Sequence, residues 1–139
     1  MSDGTAQFVR RLYRMFSDGS ALGAVPELFQ PDVELRPLLI GGGALEGAVY
    51  RGHDGMREFI SVQNHTWQRV SIEPVDISQA GEYVLVETRI EAVGRASGIE
   101  LTQVTWNRIK LRDGKVASIR VFAERADTVP AGRAATDPV

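Results

Sequence analysis

No cysteine occurs among the 139 residues, and histidine occurs only as His53 and His65. Thiol nucleophiles, disulfides and thiolate metal sites are therefore excluded. The two histidines lie twelve positions apart and match no compact metal-ligand spacing, so neither a metal nor a cofactor is expected. Lysine is almost missing too: Lys110 and Lys115 are the only two, which leaves fourteen arginines among the sixteen basic residues. Eighteen acidic residues bring the formal charge to -2, so the diffuse positive surface that supplies most nucleic-acid affinity is lacking. No apolar run approaches the ~20 residues that span a bilayer, and Met1 to Gln7 shows no basic stretch leading into an apolar one. No membrane contact is expected, and a chain without cysteine fits a reducing, cytoplasmic setting. Gly41, Gly42, Gly43 and Gly47 come without the Lys-Ser/Thr of a phosphate loop or the spacing of a dinucleotide fingerprint, and no serine sits in a nucleophile elbow. Chemistry is left to carboxylates, arginine, tyrosine and amides.

What is present is 43% hydrophobic and 24% charged, the profile of one compact domain with a real core. Phe8, Val9, Leu12, Tyr13 and Phe16 recur at helical spacing over residues 5–18, and Gly19 is a natural stop. Ser20 can cap a second helix carrying Leu22, Val25, Leu28 and Phe29, with Pro26 in its first turn and Pro31 ending it. A short strand over Val33 to Arg36 and an aperiodic, glycine-rich loop over 37–52 follow, the loop read as a lid with a short strand near Val49 and Tyr50. A third helix starts near Asp54, turns Met56, Phe59, Ile60 and Gln63 inward, and ends near Asn64 or His65. From Trp67 the texture changes to β-branched alternation, giving strands over Trp67 to Ile77, Tyr83 to Val93, Ile99 to Leu111 and Lys115 to Glu124. Asp113-Gly114 marks a tight hairpin between the last two. The reading is a single domain over 1–128 with a flexible tail over 129–139, rich in Ala, Pro, Gly and Asp.

Four fragments in order, Tyr50-Arg51-Gly52-His53-Asp54-Gly55-Met56-Arg57-Glu58-Phe59, Ala80-Gly81-Glu82-Tyr83-Val84, Leu111-Arg112-Asp113-Gly114-Lys115-Val116 and Phe122-Ala123-Glu124-Arg125-Ala126, carry a family signature. With the order of elements, they resemble the SnoaL-like branch of the nuclear transport factor 2-like superfamily, over about Phe8 to Val129. The resemblance implies an α+β cone-shaped roll, three N-terminal helices packed on a strongly curved, mostly antiparallel sheet. It also implies a pocket between the concave sheet face and the first and third helices, and a convex face that pairs with a second subunit. It implies no single reaction, since the superfold hosts cyclases, isomerases, epoxide hydrolases, dehydratases and non-catalytic members.

Glu87, Arg89 and Glu91 occupy alternate positions of one strand and so share a face, about 7 Å between successive members. The register that the resemblance implies turns them into the pocket as an acid, base and anchor set, with Arg89-Ile90-Glu91 similar to the arginine and carboxylate of epoxide hydrolases of this fold. Simple alternation opposes that register. Val84, Val86, Ile90 and Ala92 are the apolar positions, and putting them in the core leaves the charges in water. The expectation adopted is the charged set inward and the apolar set covered by a dimer partner, together with Val104, Trp106 and Val121 or Phe122.

On the next strand Gln103, Thr105 and Asn107 share a face and are expected to orient ligand. Leu12, Tyr13, Phe16 and Phe59 are expected to line the cavity. The carboxylate base that the resemblance places at the end of the first strand is replaced by Leu35-Arg36-Pro37, and the second acid of epoxide hydrolases by Val121. The function expected is small-molecule binding, with cofactor-free acid/base chemistry on a neutral organic substrate. The alternative is a non-catalytic dimeric module that binds a ligand or a protein.

Overall fold

The computed structural model describes residues 1–38 and 49–125. Helix α1 (Asp3–Asp18) is opened by Ser2, whose hydroxyl accepts from the Thr5 amide at 3.1 Å, and closed by Gly19 in the left-handed region at φ 83°. It buries Val9, Leu12, Tyr13 and Phe16. A 3-10 turn (Ser20–Ala24) and a single-turn helix α2 (Val25–Leu28) follow. The second helix is therefore shorter than its apolar spacing predicts: Phe29 is already extended, and strand β1 runs Phe29–Arg36 straight through Pro31. Proline disfavours helical backbone in the residue before it, which pushes Gln30 into the strand region.

Strand β2 (Tyr50–Arg51) leads directly into α3 (Gly52–Thr66), which turns Met56, Ile60 and Gln63 inward. Gly55 lets α3 pass close to β2: a Cβ there would meet the Tyr50 backbone at 3.1 Å, tight enough that the strand would have to shift by a few tenths of an ångström. Strands β3 (Trp67–Ala80), β4 (Tyr83–Gly94), β5 (Glu100–Arg112) and β6 (Lys115–Phe122) form the meander. The predicted Asp-Gly turn joins β5 to β6, with φ 53° at Asp113 and 76° at Gly114, the two positive angles a tight hairpin needs. The proposed lid falls mostly on residues 39–48, and the tail on 129–139, both outside the described residues.

One six-stranded sheet results, in the order β2-β1-β6-β5-β4-β3. All neighbours are antiparallel except β1 and β6, which run parallel and bring Leu35 opposite Ile119. Register shifts interrupt β3 near Trp67 and Pro74, and such bulges bend and twist a sheet. The helices cover one face, and α1 is pinned to β3 through Ser17: its hydroxyl donates to Tyr13 O at 2.9 Å and accepts from the Ile72 amide at 2.8 Å. The fold is the α+β arrangement expected, three helices on a mostly antiparallel sheet.

Candidate functional site

Strand β4 pairs with β5 from Tyr83 to Val93 without a register shift, so the side chains of β4 alternate strictly between faces. Val84, Val86, Thr88, Ile90 and Ala92 are buried under the helices. Glu87, Arg89 and Glu91 consequently point the other way. Arg89 Nε donates to Glu91 Oε1 at 3.2 Å, with the two side chains 55% and 59% exposed. The register taken from the resemblance is thus corrected by one residue. The physical reason is the alternation itself: five uncharged β4 side chains can be covered by α1 and α3, whereas burying three ions costs several kcal/mol each before pairing. The apolar β4 set, Val84, Val86, Ile90 and Ala92, is likewise buried within the monomer and is no face waiting for a partner.

Beneath α1 and α3, the inner sheet face encloses a cavity of about 70 Å³. Of the residues expected there, Tyr13, Phe16, Phe59, Thr105 and Asn107 line it. Leu12 does not; it is fully buried in the core behind the cavity wall. Gln103 lies opposite Ile90 on the inner side of β5, partly exposed and outside the lining. Thr88, Ile90 and Ile72 line the cavity unforeseen, as do Leu35 and Val121, noted beforehand only as positions where a carboxylate is lacking. Gln63, foreseen only as an inward residue of α3, also reaches it.

The polar groups of the cavity are neutral. Thr88 and Thr105 hydroxyls meet at 2.6 Å, and Asn107 Nδ2 donates to Thr88 Oγ1 at 3.2 Å and to Val86 O at 3.4 Å. This pairing satisfies groups whose burial is otherwise costly. Tyr13 is different: its ring is 4% exposed, and its hydroxyl is buried with no hydrogen-bond partner among the described residues. Burial pushes its pKa above the ordinary tyrosine value, so the phenol stays protonated and is a donor. No carboxylate, histidine, lysine or arginine belongs to the described lining. His53 Nε2 instead pairs with Phe29 O at 2.8 Å and His65 Nδ1 with Ser61 O at 2.7 Å. Among the described residues no three His, Asp or Glu converge on a metal-sized space.

Residues 9–119 match the model of the SnoaL-like domain, and the chain belongs to that family. No curated protein matches in sequence. Among solved structures, the chain is similar to SalBIII, an epoxide hydrolase/cyclase-like enzyme with a role in pyran ring formation in the polyether salinomycin. The two are 22% identical, with 91% of this chain and 97% of that one covered and a TM-score of 0.70. TerC, co-crystallised with polyporic acid, is 21% identical with a TM-score of 0.69, covering 88% and 92%. A nuclear transport factor 2-like protein of unknown function from Burkholderia pseudomallei is also 21% identical, with a TM-score of 0.69 and coverage of 91% and 95%. These likenesses fix the fold; the chemistry rests on this chain's own side chains.

Proposed function

We propose that the protein binds a neutral, largely apolar organic molecule whose acceptor oxygen, carbonyl or ether, takes a hydrogen bond from Tyr13. The observation that carries this reading is the buried phenol hydroxyl left without a partner among the described residues, in a wall otherwise built from apolar groups, the Gln63 amide and the mutually paired Thr88, Thr105 and Asn107. A ligand oxygen placed there satisfies a group whose isolation costs about 1–3 kcal/mol. An anionic ligand is disfavoured, because the described lining offers no cation. About 70 Å³ is roughly half of an engineered 150 Å³ cavity that admits benzene, so the described cavity takes the small oxygen-bearing head of a ligand. Chemistry on such a head is limited, for these residues, to polarising the oxygen by Tyr13. Acid/base work by Glu87, Arg89 and Glu91 has no support from their placement.

The same reading takes the protein as a cytoplasmic homodimer, joined through the central part of the outer sheet face. Val104 is 41% exposed there, two residues along β5 from half-buried Trp106 on the same face. Sedimentation at micromolar concentration is expected to give twice the chain mass, and a monomer would remove this part alone.

The binding test compares acetone with acetate, two molecules of the same shape, by ligand-observed NMR. The ketone is expected to bind and acetate not to, and Tyr13→Phe is expected to weaken the ketone about tenfold. Equal binding of acetate, or a ketone indifferent to Tyr13→Phe, sinks the proposal.

A further inference from the structure

Donors and acceptors in the cavity wall are out of balance. Two amide side chains belong to that wall, Asn107 from the sheet and Gln63 from α3, and at 4% and 7% exposed neither is served by bulk water. Every side-chain hydrogen bond of Asn107 among the described residues runs through Nδ2, to Thr88 Oγ1 at 3.2 Å, Val86 O at 3.4 Å and Thr105 Oγ1 at 3.5 Å. A backbone carbonyl can only accept, so turning the amide over would set two oxygens against each other. Asn107 Oδ1 is therefore a fixed acceptor. The nearby hydroxyls bring it no proton, because those of Thr88 and Thr105 are taken up between the two residues.

Gln63 has even less. Among the described residues its side-chain amide makes no hydrogen bond at either end, although the residue is more than nine-tenths buried. Together with the Tyr13 hydroxyl, the wall thus presents a phenol donor, one amide nitrogen and two amide oxygens, all without partners. A ligand that brings an acceptor oxygen alone satisfies Tyr13 and leaves both amide oxygens bare. Leaving buried polar groups unmatched is what makes such a site reject a molecule of the right shape but the wrong hydrogen-bonding pattern.

We propose that the head group taken by the cavity is a primary carboxamide. Its oxygen has two lone pairs, one for Tyr13 and one for Gln63 Nε2, and its two N–H bonds answer the two oxygens, Gln63 Oε1 and Asn107 Oδ1. Gln63 is self-complementary to such a head, donating and accepting along one edge. The inference rests on Tyr13 acting as donor to a neutral ligand and narrows that ligand to one class. A ketone or a carboxylate of the same outline has no N–H to offer, and the two amide oxygens select against both.

The experiment measures the dissociation constants of acetamide and acetone on the full chain by ligand-observed NMR, in the parent and in Gln63→Met, which keeps the length of the side chain and removes its amide. The two molecules have nearly the same outline, so the ratio of their affinities reads the N–H group. Acetamide is expected to bind about tenfold more tightly than acetone in the parent. In Gln63→Met that preference is expected to vanish, because an N–H group then faces a methyl-bearing side chain. Circular dichroism establishes that the variant is folded, and a misfolded Gln63→Met is replaced by Gln63→Leu with the same expectation. Acetamide no tighter than acetone in the parent, or a preference for acetamide that persists in the Gln63 variant, overturns the proposal. Where acetone nonetheless binds and depends on Tyr13, only the carboxamide is lost and the neutral acceptor site stands; where neither molecule binds, both readings fall.

Discussion

The two faces of β4 differ more than any two distant parts of the molecule. On the inner side Val84, Val86, Thr88, Ile90 and Ala92 are sealed under helices, and on the outer side Glu87, Arg89 and Glu91 stand toward water. Both sets have the two-residue spacing that a strand gives to any alternate series. The Arg-x-Glu pair even forms its hydrogen bond, yet out in solvent such a pair is worth only about 0–1 kcal/mol and can polarise nothing in the cavity. A charged pattern on a strand defines a site only when the face it occupies is closed over. Here the single uncharged polar residue of the inner series, Thr88, has more to do with the cavity than the three ions beside it.

Moving charge across the strand has the largest expected effect. Val86→Asp places an unpaired carboxylate where Val86 is 1% exposed, and is expected to cost several kcal/mol or to abolish folding. Glu87→Val, its neighbour on the other face, is expected to leave the urea midpoint nearly unchanged. Asn107→Ala removes the amide that joins Thr88 to the Val86 carbonyl and is expected to destabilise by about 1–3 kcal/mol in the same assay.

A smaller effect separates Tyr13 from both. Tyr13→Phe removes a hydroxyl that has no partner among the described residues, so the unliganded protein is expected to hold or gain about 1 kcal/mol while ligand affinity falls. Tyr13 also shapes the alkaline limb. Its folded pKa is raised above the unfolded value of about 10, so its contribution is fully present below that pH and is lost as pH rises beyond it. Stability measured from pH 9 upward is expected to fall less steeply in Tyr13→Phe. Smallest of all, Glu87→Gln and Glu91→Gln are expected to stay within about 0.5 kcal/mol of the parent and to bind ketone unchanged.

Much of this was legible beforehand, and the misses have specific causes. Helix α1, α3, the meander and the Asp113-Gly114 turn follow from period and turn chemistry. The face shared by Thr105 and Asn107 follows from alternation, and both line the cavity. The β4 site departs from expectation because the register implied by the resemblance conflicts with the strand's own apolar parity, and a slip of one residue exchanges every side chain between faces. Val84, Val86, Ile90 and Ala92 were sufficient to place Thr88 inward. Leu12 has the spacing of a lining residue, but period identifies a buried face and not whether a side chain meets packed atoms or a space.

The parallel pairing of β1 with β6 sets when the cavity can come into being. Leu35 and Ile119, both in its wall, are direct partners across that junction, although one belongs to the first strand and the other to the last. Such long-range closure is slow, because the loop entropy must be lost before any contact compensates it. A nascent chain therefore has helices and most of a meander before it has a binding site, and a molecule held in the cavity should act chiefly as a brake on unfolding.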